Sequence, residues 1–223
     1  MSVVSVSLSP YHSFSKIPVS SITLIANFGV KGDVHGGATA QHHPHLNLDP
    51  PAPNLRQVHL LESEVLASVG SETMGKPMKQ GQLGENITTA GVDLLSLGKG
   101  TKLWFINATT RAVPTREVAV VEVTGLRDAG PQIDEFQKGL QERLLVRDGK
   151  GGIVGRRAGI MGIVVDGGEV KSGGWSGDLS NELSTTKGIT GHKTTTCIFY
   201  SQCHANNLHI MIEFSTHIKQ PTG

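Results

Sequence analysis

Ten residues, "EVAVVEVTGL" from Glu117 to Leu126, leave the chain little choice of local structure. β-Branched side chains are stiff at Cβ and pack well on a pleated surface, so a near-continuous run of them reads as a strand. The apolar residues follow one another without strict alternation, so the strand is expected to be buried on both faces or to line a barrel. Other segments carry a strand signal too. Val4, Val6 and Leu8 alternate with Ser5, Ser7 and Ser9, and "SITLIANFGVKGD" reads as a strand running into a turn at Gly32-Asp33. Thr101 to Phe105 follows a "GKG" corner, and "GRRAGIMGIVVDGGEVKSGG" reads as a strand, an Asp-Gly-Gly turn and a strand, predicting a hairpin.

Helical period is rarer. "RQVHLLESEVLASVGSE" predicts a short amphipathic helix near Glu62–Val69, and Ile133, Phe136, Leu140 and Leu144 predict a second over Ile133–Arg147. A parallel α/β sheet needs regular strand–helix alternation, for which these helices are too few. With 28 glycines among 223 residues supplying turns, the expected fold is a mostly-β barrel with a few helical insertions. Residues 1–24 form an N-terminal strand region of the barrel and 25–173 the main domain. The segment 174–223 is Ser/Thr-rich, ends in a short apolar patch from Leu208 to Phe214, and is expected to pack poorly as a tail of uncertain order.

A net charge of +1 gives no bulk pull toward nucleic acid or an anionic membrane. No run of 18 apolar residues and no signal-peptide pattern appears, and two cysteines, Cys197 and Cys203, make no disulfide framework. A cytoplasmic, reducing setting is the expectation.

Four places carry chemistry-bearing residues. In "KGDVHGG" the glycines let the backbone bend around a ligand, while Asp33 and His35 present side chains or Asp33 closes an Asx-turn. "GENITT" offers Glu85 and Asn86 to a polar heterocycle, or to the backbone of their own turn. Lys31, Arg56 and Arg127 are candidate anion contacts, Arg127 beside the helix start at about Gln132 to Asp134. Five of the ten histidines cluster as His35, His42, His43, His45 and His59, but most lie on a Pro-rich loop without cysteine, so no metal site is assigned. His59 is expected to face away from its neighbours Val58 and Leu60.

In order and spacing, "GDVHGG", "RQVHLLESEVL", "GENITTAGVDLLSLGKG", "VEVTGLRDAGPQIDEFQKGL" and "AGIMGIVVDGGEVKSG" resemble the MOSC domain, named for the C-terminal domain of molybdenum cofactor sulfurases. The resemblance covers roughly residues 25–173. It implies a β-barrel with helical insertions that binds the molybdenum cofactor, a phosphorylated pterin whose dithiolene holds the metal. It also implies sulfur-carrier (sulfurtransferase-like) or molybdenum-dependent reductase activity, with a protein partner supplying sulfur or electrons. Pyridoxal phosphate belongs to the aminotransferase-like domain fused to some members, for which this chain has no room. The cofactor-binding set implied here is Lys31, Asp33, His35, Arg56, Glu85, Asn86 and Arg127.

One departure bears on catalysis. Where the family commonly reads Asn-Pro-Cys or Ser-Pro-Cys, this chain reads Asp128-Ala129-Gly130. Gly130 has no side chain to form a thiolate or hold a metal. The alternatives are therefore a cofactor-binding protein, an enzyme drawing its thiol from elsewhere, and a non-catalytic interaction protein or degraded paralogue.

Overall fold

The strand carried by the run at residues 119–126 lies at the centre of the sheet. The computed structural model describes residues 1–40, 50–107, 118–173, 196–198 and 208–214. In it β8 (Ala119–Leu126) pairs antiparallel with β7 (Lys102–Asn107) on one side and β11 (Ile160–Asp166) on the other. Ala119, Val120 and Val121 are all buried, as a strand covered on both faces requires. β11 continues antiparallel onto β5 (Val58–Glu62), which runs parallel to β6 (Ile87–Ala90). β6 pairs with β1 (Ser2–Leu8), and β1 with β2 (Ile17–Val19).

The circuit is completed by β14 (Leu208–Phe214), which pairs with β7 from Leu208↔Asn107 to Glu213↔Lys102 and meets β1 at Ser2↔His209. The strands from β14 through β7, β8, β11, β5 and β6 to β1 thus curl into a barrel. A small sheet of β12 (Gly168–Lys171), β3 (Ser21–Ile25) and β4 (Gly29–Val30) lies beside it in the topology. A ribbon of β9 (Leu145–Arg147) and β10 (Ile153–Arg156) completes the main elements.

Two apolar clusters hold the molecule, and β5 serves both because successive side chains of a strand point to opposite faces. Val58 and Leu60 pack into the barrel with Val3, Leu103, Phe105 and Ile160. Leu61 packs outward beneath the helices with Leu66, Val69, Ile133 and Leu140. His59 has the parity of Leu61, so it faces away from Val58 and Leu60, as its place in the sequence implied.

Four expectations need correction. The first helix, α1 (Ser63–Met74), runs beyond Val69 to a left-handed cap at Gly75, just ahead of Pro77. The second is not continuous. Gly139, at φ 83°, separates α2 (Gln132–Phe136) from α3 (Leu140–Arg143), and residues 145–147 become β9. The apolar spacing survives that break, since Ile133, Leu140 and Leu144 are all buried. β11 and β12 do not pair as a hairpin: β12 crosses to β3, from Gly168↔Leu24 to Lys171↔Ser21. Finally, the apolar patch from Leu208 to Phe214 is β14, whose Ile212 is buried, so these seven residues contribute a barrel strand where poor packing was expected. Cys197 lies on β13 (Thr196–Ile198), paired with β14, while Cys203 and the histidines at 42, 43 and 45 lie outside the described residues.

Candidate functional site

The turn after β4 brings Asp33 inward, and five donors converge on its carboxylate. Oδ1 accepts the His35 backbone N–H at 3.0 Å and lies 3.2 Å from His35 Nδ1. Oδ2 accepts the Ser9 N–H at 3.2 Å, the Asn86 amide at 3.0 Å and Lys16 Nζ at 2.7 Å. The two side chains of the Lys16–Asp33 pair are 4% and 2% exposed, so the pair is desolvated. Burial by itself raises the Asp33 carboxyl. The bonds from His35 and the charge and bond of Lys16 more than reverse this and hold it well below the usual carboxylate range. Lys16 meets burial with one acceptor, and burial prevails, lowering its ammonium despite the Asp33 charge. Asp33 closes the Asx-turn onto the His35 N–H, and the partly exposed His35 side chain turns back onto the same carboxylate.

Behind this hub, Glu85 and Asn86 brace the protein itself. Glu85 accepts the N–H groups of Gly81 and Leu83 and the Thr88 hydroxyl, and burial pushes its carboxyl up. Asn86 accepts the His59 N–H at 3.2 Å and donates to Asp33 and to the Ser7 carbonyl. Both are fully or nearly fully buried with their polar atoms satisfied, so they shape the site and do not line it.

Arg127, at the end of β8, donates its backbone N–H to the Gly159 carbonyl at 2.8 Å. Its guanidinium is buried enough that desolvation, then the neighbouring charge of Arg56, lowers it to about 10, against the weaker pull of Glu85 and Asp128. Its Nη1 and the Nε of Arg56 are buried without a hydrogen-bond partner among the described residues. Arg56 lines a cleft of about 200 Å3 whose walls include Leu55, Leu126, Asp128 and Met161. Asn54 shapes this rim, donating to the carbonyls of His35 and Gly37 and accepting the Arg56 N–H.

Asp33, His35 and Asn86, scattered through the sequence, thus share one hydrogen-bonded network with Lys16, whereas Glu85 and Arg127 act on Lys16 and on each other only through charge. Lys31 does not join it: its side chain is exposed on the turn and makes no hydrogen bond or ion pair among the described residues. The start of α2 does not offer an anion cradle beside Arg127 either. The N–H groups of Ile133 and Asp134 are already used on the carbonyls of Gly130 and Pro131. No cluster of three His, Cys, Asp or Glu suited to a metal exists among the described residues. Two members were missed in the sequence. Lys16 is a lone basic residue ahead of a short strand, with no local pattern to single it out. His59 was placed on the correct face but given no role.

No family model matches the sequence, and no curated protein matches it. In three dimensions the chain is similar to YuaD protein from Bacillus subtilis, at a TM-score of 0.60 and 19% identity, covering 97% of this chain and 96% of that one. The fold is MOSC-like. YiiM from Geobacillus stearothermophilus also matches, at a TM-score of 0.48 and 15% identity over 77% of this chain and 71% of that one. Within the MOSC-like barrel, the network just described occupies the junctions ahead of β2, β5 and β6, after β4 and at the end of β8.

Proposed function

We propose that this chain is a MOSC-type protein that binds the molybdenum cofactor or a related phosphorylated pterin, with Arg127 and Arg56 meeting the anion. One observation carries the reading. Two neighbouring guanidiniums repel each other, and each has a buried N–H without a partner among the described residues. Buried donors without acceptors are costly, and two like charges held together are costlier, so the arrangement suits an anion that satisfies both. The phosphate of such a cofactor has the charge and the acceptor oxygens for that place. When bound, the cofactor supplies a metal centre capable of sulfur or oxygen exchange. Lys16, Asp33 and His35 hold the wall beside it, and the apolar Leu55, Leu126 and Met161 line the adjoining cleft. Gly130 contributes no donor atom, so no covalent sulfur step is assigned to this chain.

Pterin fluorescence and molybdenum analysis of the purified protein test the reading, with phosphate titration as the local measurement. Arg127→Gln is expected to weaken phosphate binding roughly 10- to 100-fold, the equivalent of one charge-assisted hydrogen bond of about 1.5–3 kcal/mol. Because the substitution also removes a repulsion, the melting temperature should stay unchanged or rise. Wild-type protein that carries no pterin and has no affinity for phosphate would leave the non-catalytic interaction protein as the better reading.

A further inference from the structure

The Arg127 backbone is bonded to a turn that a buried imidazole also reaches. Arg127 N–H is held by the Gly159 carbonyl, and the residue before Gly159 offers its own carbonyl to His59 Nε2 at 2.8 Å. A carbonyl can only accept, so in this bond the ring proton sits on Nε2. The turn is tightly fitted: Gly159 has φ +88°, and a Cβ there would collide with the Leu60 carbonyl oxygen and stand 3.0 Å from His59 Nε2. β11 starts one residue later and pairs with β5 and β8 at once, Ile160 lying opposite both Leu60 and Leu126. The end of β8, and with it Arg127, thus meets β11 at the turn to which His59 is bonded.

We propose that His59 is a positioning residue for Arg127, acting as a neutral imidazole whose Nε2–H anchors the Ala158–Gly159 turn beneath the anion site. The inference rests on the anion-binding reading for its consequence, but not for its geometry. The charged groups that face the ring favour the neutral form, Arg127 from the end of β8 and Lys16 from the segment before β2, while the Ala158 and Gly84 carbonyls beside it pull the other way. Burial first, and then the Arg127 charge, hold the imidazole well below its ordinary value.

Two substitutions separate anchoring from space filling. His59→Gln keeps an N–H for the Ala158 carbonyl, and His59→Leu fills the space without one. In His59→Leu the Arg127 amide should exchange its hydrogen at least tenfold faster than in wild type, relative to the Val121 amide in the middle of β8. Inorganic phosphate should bind about tenfold more weakly. In His59→Gln both quantities should stay within about threefold of wild type. Nitrogen NMR of the wild-type ring at pH 7 should show the neutral Nε2–H form, which decides the matter even if the leucine variant does not fold. A protonated ring, an Nδ1–H tautomer, or equal damage from both substitutions overturns the proposal. Wild-type protein that ignores phosphate overturns the anion-binding reading alone, because amide exchange still reports whether His59 holds Arg127.

Discussion

Asp33→Ala should lower stability by about 3–5 kcal/mol, the cost of removing one partner from a buried ion pair. The substitution leaves Lys16 with its side chain 4% exposed and without the one counter-charge bonded to it among the described residues, while Ser9, His35 and Asn86 lose an acceptor. Adding Lys16→Met should restore a large part of the loss, since an apolar side chain tolerates that burial and an unpaired ammonium does not. The pH dependence follows from the Asp33 shift. Its folded carboxyl is held below its unfolded value, so the unfolded chain binds more protons as pH falls below about 4. The stabilisation from Asp33 is complete above that value and drains away as pH falls toward the folded one. Urea denaturation of the two variants at pH 7, and of wild type and Asp33→Ala from pH 7 to pH 3, measures both effects. A loss below about 1 kcal/mol, or a double variant no better than the single, would show that the pair is not the hub of this network.

Local physics made the barrel legible and left its closure hidden. β8, β1 and β7 are evident because β-branched or alternating residues decide the matter within a few positions. The pairing of β12 with β3 was not evident: an Asp-Gly-Gly turn looks the same whether the second strand folds back or crosses to a distant partner. Leu208, Ile210, Ile212 and Phe214 do alternate with other residues, but seven residues after a long Ser/Thr-rich run offer a weak signal next to the gap they fill between β7 and β1. At the site, motifs located Asp33, Asn86 and Arg127 but could not tell lining from bracing. That difference lies in which partners Glu85 and Asn86 bond, and those partners come from distant segments or from the backbone. Lys16 was invisible because a lysine ahead of a strand is ordinarily solvated, and only the fold reveals its 2.7 Å contact with Asp33.

Gly130→Cys should give this chain a reactive thiol it otherwise lacks in the described part of the site. The backbone permits it: φ at Gly130 is outside the left-handed region, and an added Cβ would crowd only Gln132 Oε1, at 2.6 Å, the far end of a flexible side chain. The neighbouring backbone is fixed, since the Ala129 carbonyl accepts the Gln141 side-chain amide at 2.7 Å. Gly130 itself is partly exposed, so reagents can reach the new sulfur. The electrostatics pull in two directions. Arg127, three residues back, favours the thiolate, whereas Asp128 opposes it with a charge already shared with Arg156 at 3.0 Å. With the Ile133 and Asp134 amides already occupied, the short helix adds little, so the thiol should titrate only modestly below the ordinary cysteine value of about 8.5. The measurement is alkylation rate against pH in a background with Cys197 and Cys203 replaced by serine. Persulfide loading follows: the thiolate attacks the outer sulfur of a donor persulfide RSS−, forming Cys–S–S− and releasing RS−, with no net oxidation. One equivalent of label and of transferred sulfur is expected in Gly130→Cys, and none in the cysteine-free parent. A parent that transfers sulfur as fast as the variant would show that the thiol absent at Gly130 never governed this chain's chemistry. A variant thiol that titrates above 8.5 would show instead that Asp128, and not Arg127, sets the field at this junction.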